Sequence, residues 1–195
     1  MGCARLLASA LAITLVQVVG VLALAAMSGA GTPGGAFESL CRWDGALYLH
    51  IAEHGYRTTV PPTPGDLDRS NVAFFPGYPL VARWIGDLSG GALSMRAALV
   101  VTAQLAAWGF WSYWLLFVAR WRVARPWALL ATLAVALHPA AFFLVVAYSE
   151  SLFLFGLLGF LYWVTLDLKK HWPLAAVHGA VMTATRLGGL PVALC

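Results

Sequence analysis

Apolar positions run along this chain in long blocks separated by short charged breaks. Residues 6–28 form a 23-residue block interrupted only by small hydroxyls and Gln17. Four more blocks lie at 97–119, 127–148, 151–166 and 174–195. A helix of about 20 apolar residues crosses the hydrocarbon core of a bilayer. The pattern therefore predicts an all-α, polytopic transmembrane helical bundle of about five spans. The first block also fits a cleaved signal peptide, with small residues at 23–30 for the cleavage site. It is long for such a signal and more blocks follow it, so an uncleaved span is the expectation.

The largest interruption, residues 29–96, is 68 residues long and breaks into shorter pieces. Residues 42–54 place Trp43, Leu47 and Ile51 about one helical turn apart. Residues 78–88 carry Leu80, Val81, Trp84, Ile85 and Leu88. Both pieces are too short and too charged to span, which suits helices lying in a membrane interface. Between them, residues 58–69 hold Pro61, Pro62, Pro64 and Gly65 and read as loop. No internal repeat is visible. The chain, residues 1–195, reads as a single membrane domain with 29–96 as its first extracytoplasmic loop.

Charge gives that arrangement an orientation. The turns Arg120-Trp121-Arg122-Val123-Ala124-Arg125 and Asp167-Leu168-Lys169-Lys170 are basic, and Arg5 precedes the first block. The positive-inside rule puts them in the cytoplasm, with the N-terminus. The insert and the turn near Glu150 then face outward. Six of the eight acids, Glu38, Asp44, Glu53, Asp66, Asp68 and Asp87, lie in the insert. Tryptophans 108, 111, 114, 121, 127, 163 and 172 gather near block ends, as in interfacial belts.

Composition narrows the class. Hydrophobic residues make up 61% of the chain, charged ones 10%, and mean hydropathy is +0.80. A disordered chain and a solvent-covered globule are excluded. The net charge of +4 comes from scattered bases near block ends, which excludes nucleic acid as a partner. Membrane lipids are the expected surroundings. Cys3, Cys41 and Cys195 are odd in number and far apart, so no disulfide framework or structural metal is expected. Cys3 fits lipidation or, better, a free thiol. Ten Arg against two Lys, with abundant Ala, hints at a GC-rich genome and so a prokaryote. The location is then the plasma membrane, or the endoplasmic reticulum membrane in a eukaryote.

Four features carry candidate chemistry. Asp44, in Arg42-Trp43-Asp44-Gly45, is placed to cap the following helix. It is equally placed to act as a general base at the membrane surface, kept ionised by the helix N-terminus. His50-Ile51-Ala52-Glu53-His54 matches the H-x-x-E-H zinc-hydrolase pattern. Its two histidines share a helical face, but no clear third ligand follows, and the solvated face of an interfacial helix explains it as well. The third feature is His138-Pro139, where the third block should kink or end, followed by Glu150 between two apolar blocks. A carboxylate there is costly and marks function, or it is an exposed Glu in an outer turn. The fourth is Arg186, thirteenth in a 22-residue block. Near mid-membrane an Arg needs an anion beside it, Glu150 or a lipid phosphate. Otherwise that block, the least apolar of the five, does not span. No phosphate-binding glycine loop is present, so a soluble nucleotide-dependent domain is excluded. An apolar groove with a polar rim suits a lipid-linked substrate.

These residues carry a resemblance. Arg42-Trp43-Asp44-Gly45 with Tyr48, Ile51-Ala52 and His54-Gly55-Tyr56 resembles the first-loop motif of the GPI mannosyltransferase 2 (phosphatidylinositol-glycan class V) family and its prokaryotic relatives. Ala73-Phe74-Phe75-Pro76-Gly77-Tyr78-Pro79-Leu80 resembles that family's F-F-P-x-Y-P-L segment. His138-Pro139-Ala140-Ala141-Phe142-Phe143 with Tyr148-Ser149-Glu150-Ser151-Leu152-Phe153 resembles its next motif. Ala184-Thr185-Arg186-Leu187-Gly188-Gly189-Leu190 resembles its A-x-x-R-x-x-G segment. The four stand in the family's order over about residues 40–190.

The resemblance implies a GT-C type membrane glycosyltransferase. Such an enzyme moves a sugar, usually mannose, from a polyprenyl- or dolichyl-phosphate donor to a lipid-linked or cell-envelope acceptor. Transfer takes place on the non-cytoplasmic face with inversion. Asp44 takes the place of its catalytic base. Arg42, His138 and Arg186 would meet the donor phosphate, and Glu150 would orient these groups or the acceptor. No cofactor is implied; a divalent metal has no support from the sequence. Family members continue well past the last motif. A fragment, a shortened gene product and a half-enzyme completed by a second chain are the readings this leaves. A zinc hydrolase using His50, Glu53 and His54, and a non-catalytic membrane subunit, stand as the alternatives.

Overall fold

The computed structural model describes residues 2–30, 32–57, 70–166 and 169–194. Among them every regular element is helical. The proline-rich segment 58–69, with Asp66 and Asp68, lies outside the described residues, as do Asp167 and Cys195.

Helix α1 spans Cys3–Ala25 and is followed by a π-helical turn, Ala26–Ala30. Helix α2, Pro33–Ser39, is capped by Thr32, whose side chain accepts from the Gly35 amide. Helices α3, Asp44–His54, and α4, Gly77–Leu88, are the two amphipathic pieces of the insert. Helix α5 runs 26 residues, Met95–Arg120. Helix α6, Arg125–Ala136, gives way to a 3-10 helix, Pro139–Leu144. Helix α7, Glu150–Val164, precedes a short 3-10 turn, Lys169–His171. Helix α8, Trp172–Thr185, and the short α9, Gly189–Leu194, close the order.

Two helical segments, Cys3–Ser28 and Met95–Arg120, are long and apolar enough to cross a membrane. At 1.5 Å per residue, 26 residues reach about 39 Å, more than the roughly 30 Å of hydrocarbon. Helices α6, α7 and α8 are apolar but only 12, 15 and 14 residues long. Helix length therefore carries two spans and leaves the count of five open.

Two of the blocks have identifiable breaks. The block at 127–148 stops at Ala136 because Pro139 cannot continue the helix. His138 then caps the 3-10 turn, its Nδ1 accepting from the Ala140 amide at 3.1 Å. The carbonyl freed at Ala136 is taken by Gln17 Nε2 at 3.2 Å, and Gln17 Oε1 accepts from Trp111 Nε1 at 2.8 Å. One polar residue of α1 thus ties α5 and α6 together with both ends of its amide satisfied. The block at 174–195 breaks at Arg186, whose backbone is extended, φ −154° and ψ 146°. Arg186 therefore stands at a helix break, not inside a continuous span.

The elements sort to two ends. Arg120 donates to Thr165 Oγ1 at 3.0 Å and to the Thr165 carbonyl, joining the ends of α5 and α7. The Trp163 and His171 rings lie 5.0 Å apart at the same end. Both basic turns therefore lie together. At the other end α2, α3, α4 and the turn before α7 pack on one core, which holds Leu40, Tyr48, Tyr78, Leu99, Ala147 and Leu152. Tyr78, with no exposed surface, donates to the Leu99 carbonyl at 2.8 Å. Cys41 is buried there, and burial pushes its thiol up to about 11, a neutral group of the core.

Gly77 brings the insert onto the break at Arg186. A Cβ there would lie 2.6 Å from the Ala184 carbonyl oxygen. Backbone cannot swing aside as a side-chain tip can, so overpacking costs about 1–3 kcal/mol. The propensity gained on replacing a Gly is at most about 1 kcal/mol. Gly77→Ala is thus expected to lower the unfolding midpoint in detergent, read by the temperature dependence of circular dichroism. An unchanged midpoint would mean that α4 and α8 do not pack this closely.

Candidate active site

The site begins at a backbone irregularity. Trp43 has φ 51° and ψ −120°, a region that a bulky residue adopts only at a cost. It is the residue before α3, and no side chain caps that helix. Asp44 is therefore the first helical residue. The expectation that it caps the helix is corrected: it sits in the first turn, where the helix dipole still favours a carboxylate. Asp44 is exposed, and its carboxylate makes no ion pair or hydrogen bond among the described residues.

The start of α3 is docked on the turn before α7. The Ala147 amide donates to the Leu40 carbonyl at 2.9 Å. Gly45 lets the two backbones approach, since a Cβ there would stand 3.3 Å from the Ala147 carbonyl oxygen. Tyr48, one turn into α3, donates from its hydroxyl to Ser149 Oγ at 2.9 Å. The Tyr148 phenol lies against the backbone of Asp44. Tyr48 is further held edge-on by Phe74 and Tyr78, with ring centroids 5.1 and 5.0 Å away. Burial raises the Tyr48 hydroxyl above its ordinary range, so it stays a proton donor to Ser149. Tyr48, Tyr148 and Ser149 were not singled out as chemistry in the sequence; their pairing joins residues about a hundred positions apart, which no local pattern shows.

Glu150 opens α7 directly after this turn. Its Oε1 lies 3.1 Å from Arg186 Nη1, with Glu150 21% and Arg186 45% exposed. The anion expected beside Arg186 is therefore Glu150. Asp44, Glu150 and Arg186 are all near enough to act on the charge of the Tyr48 hydroxyl.

Arg42 and His138 are brought together by the fold. They line a groove of about 640 Å³ between α1, the end of α6 and the loop before α3, together with Trp43, Leu24, Leu137 and Phe142. Arg42 is exposed and has no partner among the described residues. His138 Nδ1 is an acceptor, so the neutral ring carries its proton on Nε2, a donor. A second apolar hollow of about 380 Å³ is lined by Glu150, Phe143, Leu144 and Leu154, and it shares His138 with the first. The expected site residues thus show two pairings, Arg42 with His138 on the groove and Glu150 with Arg186 in an ion pair, linked by the hollow that His138 and Glu150 share, and Asp44 lies two residues after Arg42 in the chain.

The H-x-x-E-H segment does not assemble. The His50 and His54 rings are 5.0 Å apart, but Asn71 Nδ2 stands 3.2 Å from His50 Nδ1. Asn71 is 1% exposed and also accepts from the Arg57 amide at 2.7 Å, so the His50 contact is part of a buried loop brace. Among the described residues no three His, Cys, Asp or Glu side chains gather where a metal ion could be held.

Comparison with known proteins identifies the family that the chain is similar to. The model of the family described as mannosyltransferase (PIG-V) matches residues 27–185. The human GPI alpha-1,6-mannosyltransferase 2 is 32% identical over 165 residues, 80% of this chain and 30% of that protein. The Cricetulus griseus protein of the same name is 33% identical over 163 residues, again 80% of this chain and 30% of its own length. The mouse one is 36% identical over 135 residues, 62% and 24% of the two chains. This chain thus spans less than a third of the length of these relatives. No solved structure matches it. The match takes in the first three motif segments and the start of the fourth, with Arg42, Asp44, His138 and Glu150 inside it and Arg186 one position past its end, and the chain belongs to the mannosyltransferase (PIG-V) family.

Proposed function

We propose that this chain forms the part of a multi-pass membrane mannosyltransferase that holds the lipid-linked donor and the catalytic base. The observation that carries this reading is Asp44 itself. It is an exposed carboxylate without a partner among the described residues, on a braced helix start two residues after the groove-lining Arg42, and it lies near the same Tyr48 hydroxyl as the Glu150–Arg186 pair.

The donor is a polyprenyl- or dolichyl-phosphate mannose. Asp44 takes the proton of an acceptor hydroxyl as its oxygen attacks the sugar's anomeric carbon. The bond from that carbon to the phosphate oxygen breaks, its electron pair leaves with the polyprenyl phosphate, and the anomeric carbon inverts. Arg42 and the His138 Nε2–H balance the charge that grows on the leaving phosphate. Glu150 orients the acceptor. Arg186, which the resemblance also assigns to the phosphate, is engaged by Glu150 and holds that carboxylate in place. The acceptor is a GPI precursor or, in a prokaryote, a cell-envelope molecule. The chemistry lies on the non-cytoplasmic face, with the two basic turns and the N-terminus in the cytoplasm. Five spans in a GT-C-like bundle, completed by a second chain or by further sequence, accommodate it. The relatives' names support the sugar and the reaction class.

The test uses membranes of cells that express the chain, given radiolabelled mannose either on polyprenyl phosphate or on GDP. Label is expected to reach an acceptor from the lipid donor. Direct transfer from GDP-mannose, with formation of the lipid donor blocked, would overturn the donor assignment.

A further inference from the structure

We infer that Trp43 is the platform on which the transferred sugar lies, with the donor's phosphate on Arg42 and His138 and its apolar tail in the groove between α1 and α6. The inference rests on the donor reading above and extends it to a residue that nothing else assigns.

Three observations meet at Trp43. Its backbone sits at φ 51°, a strained conformation for a bulky residue, and such strain persists where surrounding structure imposes it. Trp43 is 72% exposed, and among the described residues no ring, ion pair or hydrogen bond engages its indole. It lines the same groove as Arg42 and His138. A large aromatic turned outward at conformational cost, unpacked and beside a free cation, is arranged for something that comes to it.

Chain order supplies the identity of that group. Arg42 and Trp43 line one groove and Asp44 follows directly in the chain, its Cα about 3.8 Å from that of Trp43, so a headgroup seated at Arg42 and Trp43 lies within reach of Asp44. Arg42 meets an anion and Asp44 meets the acceptor hydroxyl, so Trp43 faces what lies between phosphate and acceptor, the sugar ring. A pyranose presents an apolar face of C–H bonds. That face complements the electron-rich face of an indole, as in other aromatic contacts. The groove is mostly apolar, with Gln17, Ser28 and Ser39 as its uncharged polar residues beside Arg42 and His138, which suits a hydrocarbon tail with the headgroup at Arg42, Trp43 and His138.

A membrane anchor is the other use of an exposed tryptophan, and binding measurements separate the two. Purified full chain in detergent is titrated with polyprenyl phosphate and with polyprenyl-phosphate mannose, both radiolabelled. Trp43→Leu keeps an apolar side chain but removes the flat π-face. It is expected to weaken binding of the mannosylated lipid about tenfold and leave the bare lipid phosphate unchanged. Trp43→Tyr should stay close to the original chain, and Arg42→Gln should weaken both lipids. Equal weakening of both lipids by Trp43→Leu, or of neither, overturns the platform. If the unaltered chain binds neither lipid, the donor reading falls with it. Matching circular dichroism of the variants confirms that the fold is intact.

Discussion

Asp44→Asn is expected to cut mannosyl transfer by about 100- to 10,000-fold, the usual contribution of a positioned general base, while the protein folds as before. The two effects differ in size because Asp44 does little for the fold. Its side chain is exposed, caps nothing and pairs with nothing. What the fold loses is the favourable position of a negative charge in the first turn of α3, worth about 0.3–1 kcal/mol at an exposed site. The braces of that helix start, the Ala147 amide on Leu40 and the Tyr48 hydroxyl on Ser149, do not involve its carboxylate. Asparagine keeps the shape and cannot accept the proton. The decisive measurement pairs initial transfer rate with thermal unfolding of the same preparation. A variant as active as the original chain would move the base elsewhere and revive the reading of a non-catalytic subunit. Asp44→Glu should retain part of the activity, because the carboxylate survives at a shifted distance.

What the sequence could tell followed from what is local. The apolar blocks of α1 and α5 are uninterrupted, and their helices appear at nearly the expected length. Helices α3 and α4 appear where the spacing of Trp43, Leu47, Ile51 and of Leu80, Trp84, Leu88 put them. Pro139 announced its own break. For Arg186 the sequence leaves a spanning and a non-spanning block open, because hydropathy counts residues and does not register an extended backbone inside an apolar run. Its charge still gave the answer: an arginine in that setting required an anion, and Glu150 supplies it. Asp44 was seen as a cap because Asp favours that position, but the start of α3 is set by the left-handed turn at Trp43, which nothing in its side chain foretells. The hydrogen bond from Tyr48 to Ser149 was out of reach for a different reason. It depends on α3 docking on the turn before α7, a tertiary fact.

Glu150 and Arg186 should fail singly and recover in part together. Either neutral variant leaves one charge without its partner at a site where Glu150 is 21% and Arg186 45% exposed. Breaking a fully buried pair costs about 3–5 kcal/mol and an exposed pair is worth less than about 1. Partial exposure places each single variant between these limits, at roughly 1–3 kcal/mol of lost stability. Glu150→Gln combined with Arg186→Gln removes both charges, keeps two hydrogen-bonding amides and should regain most of that loss. Activity should not return with it, because on the proposed function Glu150 is the carboxylate that orients the acceptor. The kinetic split then separates the two roles open to Arg186. If it holds Glu150, as the 3.1 Å contact argues, Arg186→Gln lowers kcat and leaves KM for the mannosyl donor unchanged, since Arg42 and His138 still hold the phosphate. A rise in donor KM equal to that of Arg42→Gln would instead put Arg186 on the phosphate. The two carboxylates would then divide the work differently: Asp44 alone would handle the acceptor, and Glu150 would serve to fix the direction of the arginine.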